Sequence, residues 1–241
     1  MLACLAYAKL RREGRSKDLV VLVTAGLGLL ALVVAHTVYC STAVAMSALL
    51  IALVILPRKA QRILEKPAVV IAAMVLTGVI LAFLLQLLQV PFVKHIVVDV
   101  LGENLTLTGR DLIYSGLRAV ISESPIFGYG YGNAAVAMYV GYGNAQNSIM
   151  ETLVNYGVVG LFAVFYMAWT SVKGDKPSWS WGMYIMLYAM IAGSIVEITY
   201  NYYFFIALMA IFVASEDIQS GGIEKDEKQS VCCVNGALTR R

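Results

Sequence analysis

The chain has 241 residues, of which 60% are hydrophobic and only 14% charged, and its mean hydropathy is +0.76. Soluble globular domains run at about 45–50% apolar and about 25% charged, so this composition excludes an ordinary water-soluble domain and points to lipid as the solvent. The net charge of +3 is modest, and its distribution along the chain carries more information than its sign. No nucleic-acid partner is expected.

Taken in chain order, the first segment, Met1 to Leu10, is apolar but too short to span. It precedes Arg11, Arg12, Arg15 and Lys17. A secretory signal puts its charge first, so the segment reads instead as the last turns of an earlier helix. The chain is thereby expected to be the C-terminal part of a longer protein.

A spanning helix needs about 20 mostly apolar residues. Asp18 to Val38 meets that length, and Thr42 to Leu56 follows, short and stopped by Pro57. Ala68 to Val90 completes a first group of three. After a long interval come Ile149 to Val172, then Trp181 to Ile198 and Tyr200 to Ala214. The predicted fold is therefore all-α and polytopic, with about six transmembrane helices. Four regions result: residues 1–90 with spans one to three, a loop over 91–147, spans four to six over 148–215, and a polar tail over 216–241.

Lysine and arginine set the orientation. Four segments that fall on one side of a six-span chain hold fifteen of the eighteen basic residues: Lys9 to Lys17, Arg58 to Lys66, Lys173 with Lys176, and Lys225 to Arg241. Only Lys94, Arg110 and Arg118 fall on the other side. The positive-inside rule makes the four segments cytoplasmic, with both chain ends inside and the long loop outside.

That outer loop carries most of the candidate chemistry. Gly109 to Ser122 is amphipathic, with Leu112, Ile113, Leu117, Val120 and Ile121 at helical spacing. Thr108 can cap this helix, Asp111 suits its first turn, and Pro125 ends it. A folded, partly re-entrant cap over the membrane is expected. Arg110, at the helix start, offers a planar fork of donors suited to phosphate oxygens, and the helix N-terminus adds N–H groups. The plain alternative is a capped helix with Arg110 paired to a carboxylate such as Glu103. Arg118, two turns on, is either a second phosphate contact or a snorkelling surface arginine.

Next stands Pro125-Ile126-Phe127-Gly128-Tyr129-Gly130-Tyr131-Gly132-Asn133. Its unit Gly130-Tyr131-Gly132-Asn133-Ala134 recurs as Gly141-Tyr142-Gly143-Asn144-Ala145. Gly128 and Gly130 permit close backbone approach, and Tyr129 and Tyr131 can stack on sugar rings or sit at headgroup level. Tight turns with interfacial tyrosines are the rival reading. Gln146, Asn147 and Ser148 can cap the fourth span, with Gln146 also a candidate catalytic residue and Asn147 a candidate substrate-binding one, and Glu151 lies one turn inside it. A carboxylate at a membrane boundary is costly unless paired or functional, so Glu151 is either a general base toward a sugar hydroxyl or a partner for Arg110 or Arg118. Glu197 and Asn201 either join this site or mark a wet turn. His36, His95 and the cysteines Cys4, Cys40, Cys232 and Cys233 show no metal-ligand spacing.

Thr-Gly-Arg before a helix, then Pro-Ile-Phe-Gly-Tyr-Gly, then Gln-Asn-Ser-Ile-Met-Glu-Thr-Leu-Val-Asn-Tyr-Gly-Val-Val-Gly-Leu resembles the O-antigen ligase and polysaccharide polymerase superfamily. The likeness covers Thr108 to about Leu161 and matches the C-terminal half of such proteins. The resemblance implies a bacterial cytoplasmic-membrane glycosyltransferase that polymerises or ligates oligosaccharides carried on undecaprenyl pyrophosphate, for O-antigen, capsule or exopolysaccharide. It implies no cofactor and no metal. Lipid-linked oligosaccharide, membrane lipids and other polysaccharide-assembly proteins are the implied partners. It assigns the pyrophosphate to Arg110, matching the family's loop arginine. Gln146-Asn147 replaces the family's usual His-Asn, and glutamine cannot take a proton at neutral pH, which leaves Glu151 as candidate base. Ser41-Thr42-Ala43 lacks an arginine that the family often carries after that serine. Two other readings stand beside this one: an inactive or partial fragment of such an enzyme, and a membrane transporter, against which the nearly charge-free spans argue.

Overall fold

The computed structural model describes residues 2–38, 40–82, 90–95, 110–132, 134–195 and 197–215. The end of the predicted third span, Thr108 with Glu103, and the tail with Cys232 and Cys233 lie outside the described residues. Every described element is helical.

The first helix, α1 (Leu2–Arg12), leads through a turn to α2 (Lys17–Thr37), which Ser16 caps by accepting the Leu19 N–H. Then come α3 (Ser41–Val54), α4 (Arg58–Leu64), α5 (Pro67–Ala82) and the short α6 (Pro91–His95). The outer loop contributes α7 (Arg110–Glu123) and α8 (Ala135–Val140). Last are α9 (Ser148–Val172), a 3-10 turn over Ser178–Ser180, α10 (Trp181–Gly193) and α11 (Tyr202–Ser215). The all-α fold, the expected loop helix and its stop before Pro125 are found here. Two helices, α2 and α9, are long and apolar enough to cross a membrane; α3, α5 and α11 are apolar but shorter.

The centre of the bundle is α10. Twelve of its thirteen residues are buried, as expected of a helix that is apolar all round. It packs against α1, α3 and α5. Two polar tips on α10 reach distant carbonyls. Trp181 Nε1 donates to Leu53 O at 3.1 Å, and the Tyr188 hydroxyl donates to Leu64 O at 2.7 Å. At one end of the bundle the basic segments meet. Arg11 donates to Ser178 Oγ, and Arg12 lies 5.6 Å from the centre of the Trp179 ring, near enough for cation–π attraction. A second, smaller core forms at the other end. Ile113, Leu117 and Val120 of α7 pack there on Ala135 and Val136 of α8 and on Ala145 and Val154.

Candidate functional site: a tyrosine-walled cleft at a broken helix

The site is built around a fault in α9. Gly157 has φ 63° and ψ −163°, far from helical values, so α9 is two helices meeting at that residue. A break frees backbone groups, and buried ones must find other partners. The segment Pro125–Gly130 supplies them. The N–H groups of Val158 and Val159 donate to the carbonyls of Pro125 and Ile126, at 2.9 and 3.2 Å. In the other direction, the N–H groups of Tyr129 and Gly130 donate to the carbonyls of Val154 and Asn155, each at 2.8 Å. Four backbone bonds thus weld the loop to the break.

A single carboxylate group holds the loop's other side. Glu123, at the end of α7, accepts from the hydroxyls of Tyr129 and Tyr139 on the same oxygen. Tyr129 also donates to Val120 O. The Glu123 hydrogen bond, followed by partial desolvation, pushes the Tyr139 phenol up to about 12. Desolvation and then the same carboxylate raise Tyr129. Tyr129 is therefore a strut between α7 and the loop, and it does not line the cleft described below.

The start of α9 is fixed by Asn147, which is fully buried. Its Oδ1 accepts from the N–H groups of Ile149 and Met150, both at 3.0 Å, and its Nδ2 donates to Ser194 O and Ile195 O. This is an N-cap whose other half satisfies carbonyls past the end of α10. Ser148 works beside it. Its hydroxyl donates to Glu197 O and accepts from the N–H groups of Thr199 and Tyr200. The turn between α10 and α11 is thereby tied to the start of α9.

Between these parts opens a cleft of about 530 Å³. Ser148, Glu151, Thr152, Asn155 and Asn201 supply its polar wall, while Tyr131, Tyr156, Tyr200, Tyr202 and Phe205 supply its aromatic wall. Glu151 is held from two sides: Oε2 accepts from the Ala145 N–H at 2.9 Å, and Oε1 from Asn155 Nδ2 at 3.1 Å. Its place in the first turn of α9 suits a carboxylate, because the helix dipole is positive there.

Of the residues expected from the sequence, Glu151 and Tyr131 come together in this cleft. Gly130 makes one bond of the weld, Gly128 lies within the same segment with its N–H on Ser124 O, and Asn147 is the cap. Gln146 stands just before that cap with φ 48°, its N–H on Asn144 Oδ1. Arg118 is exposed on α7 and is not among the cleft's lining residues. Arg110 is the first residue of α7, and its side chain lies outside what is described. Sequence reasoning passed over Asn155, Tyr156 and Tyr202. A signal was present: the dipeptide Asn-Tyr stands at 155–156 and again at 201–202, and both copies line the cleft. Among the described residues, no group of three His, Cys, Asp or Glu side chains is placed to hold a metal ion. No protein-family model, curated protein or solved structure matches the chain.

Proposed function

We propose that the chain is a polytopic membrane glycosyltransferase acting on lipid-linked oligosaccharide at the outer face of the membrane, as a polymerase or ligase of cell-surface polysaccharide. The observation that carries this reading is Glu151. It is a held carboxylate on a cleft whose other walls are tyrosines and side-chain amides, the residue types that stack on sugar rings and bond sugar hydroxyls. The clustering of basic segments at the opposite end of the bundle supports an outward-facing cleft. The shorter helices α3, α5, α10 and α11 join α2 and α9 as the six spans of this reading.

In this mechanism an acceptor hydroxyl bonds to the Glu151 carboxylate. Its oxygen attacks the anomeric carbon of the lipid-linked sugar as the bond to the pyrophosphate oxygen breaks. The hydroxyl proton passes to Glu151, and the lipid pyrophosphate leaves with the electron pair. Arg110 stabilises the charge developing on that leaving group. Asn155 holds the carboxylate in place.

The test is made in a cell deleted for its own polymerase and complemented with this chain. Glu151→Gln removes the base and keeps one acceptor oxygen for the Ala145 N–H, while Asn155 must turn its amide to accept from the new NH2; it is expected to cut polymer formation about 10²–10⁴-fold. Arg110→Ala is expected to abolish it. Polymer of unchanged amount and length in both variants overturns the proposal.

A further inference from the structure

The weld at Gly157 leaves two large apolar side chains facing outward. Ile126 is 57% exposed and Phe127 is 73% exposed, although the backbone beneath them is bonded to α9. They do not stand alone. The Ile126 carbonyl accepts the Val159 N–H, so the knuckle sits on the face of α9 where Val158, Val159, Phe162 and Tyr166 are also exposed. That face continues down the helix through Trp169 at a spacing of three to four residues.

Length assigns the depth. The half of α9 after the break runs from Val158 to Val172, and the exposed Lys173 follows at once. At 1.5 Å per residue this half covers about 22 Å. The hydrocarbon core is about 30 Å thick. With Lys173 at the inner boundary, Gly157 falls roughly 8 Å inside the outer one. An irregular segment at that depth must have its backbone groups bonded within the protein. The four bonds of the weld do this for Pro125, Ile126, Tyr129 and Gly130.

From these relations we infer that the Ile126–Phe127 knuckle is a membrane-insertion element, with its two side chains in the acyl region of the outer leaflet. The occupant of this apolar surface is lipid hydrocarbon. Continuity with the apolar face of α9 and the depth of the break both require something other than water there. The inference rests on the membrane reading proposed above, though not on the chemistry assigned to Glu151. It also sets the level of the cleft, since Glu151 precedes the break by six residues, about 9 Å of helix, and so lies near the headgroups.

The experiment places a spin label at single cysteines in the full chain, with the four native cysteines replaced, reconstituted in phosphatidylcholine vesicles. Phe127→Cys and Ile126→Cys report the knuckle, Leu30→Cys in α2 reports the bilayer, and Ala119→Cys on the exposed side of α7 reports water. Collisions with oxygen are compared with collisions with a water-soluble nickel chelate. Labels at 126 and 127 are expected to favour oxygen several-fold over the label at 119, as the label at 30 does. If 126 and 127 match 119 while 30 is lipid-like, the knuckle inference is overturned and the membrane reading stands. If 30 also matches 119, both are overturned. A knuckle at lipid depth with Glu151→Gln fully active would remove the proposed chemistry and leave the insertion intact.

Discussion

Gly128 and Gly157 lie where two backbones cross so closely that neither position has room for a side chain. A Cβ on Gly128 would stand 2.5 Å from Val154 O, and one on Gly157 would stand 2.2 Å from Ile126 O. Both residues also have positive φ, at 68° and 63°.

Alanine at either position therefore combines left-handed strain with a backbone clash. Each variant is expected to lose at least ~3 kcal/mol of stability. Gly130→Ala is the control. Its φ of 87° is strained, but nothing lies within 4 Å of an added Cβ, so about 1–2 kcal/mol is expected. Thermal unfolding in detergent ranks the three. Equal losses would mean that the crossing is looser than described.

Asn147 offers a second measurement. Asn147→Ala removes an N-cap, worth about 1 kcal/mol, takes a donor from the half-buried Ile195 carbonyl and leaves the buried Ser194 carbonyl only the Ser148 N–H. The expected total is about 2–4 kcal/mol. Asn147→Asp keeps the cap but not the donors, and it brings a carboxylate toward two carbonyl oxygens. It is expected to be no better than alanine at neutral pH and to improve on acidification. A fully stable Asn147→Ala would free this residue for substrate binding, as the sequence reading had it.

The shared carboxylate of Glu123 has a pH signature. Tyr139 is raised in the folded protein from an ordinary 10 to about 12, so the folded state holds its proton more tightly. Its contribution to stability is complete below pH 10 and is lost as pH climbs from 10 through 12. The late ionisation of Tyr139 is read from a titration of tyrosinate absorbance as the difference between the protein and Tyr139→Phe. In Glu123→Gln that phenol should move back toward 10. A titration unchanged by the substitution would count against the contact.

Trp181 is fully buried and donates to Leu53 O. Trp181→Phe keeps an aromatic ring there but leaves that carbonyl only the long 3.4 Å bond from the Leu56 N–H, and it leaves a void. A loss of about 2–3 kcal/mol is expected from chemical denaturation, without change at the cleft.

The helices were legible because runs of apolar residues and stop signals are local. Pro57 and Pro125 follow α3 and α7 in the structure as they do in the reasoning from sequence. The amphipathic loop helix, expected over Gly109 to Ser122, spans Arg110–Glu123. The break in α9 was not legible. Asn155-Tyr156-Gly157 reads as an ordinary stretch of span, since a glycine inside a helix costs only about 1 kcal/mol. What breaks the helix is the backbone of Pro125–Gly130, thirty residues away in sequence. Tyr129 was misplaced for the same reason. Its side chain looked free to meet a ligand, and only the fold brings Glu123 to its hydroxyl. Glu151 was found because a carboxylate in an apolar run stands out without any knowledge of its neighbours.

The Ser148 hydroxyl bonds to backbone some fifty residues downstream, at Glu197, Thr199 and Tyr200. During synthesis α9 leaves the ribosome well before that partner exists. Until the hairpin of α10 and α11 arrives, the Ser148 hydroxyl and the Asn147 Nδ2 lack the partners they have in the folded chain. The cleft is consequently the last part of the molecule to be born, and a chain cut short before Thr199 would carry Glu151 without ever forming a site around it.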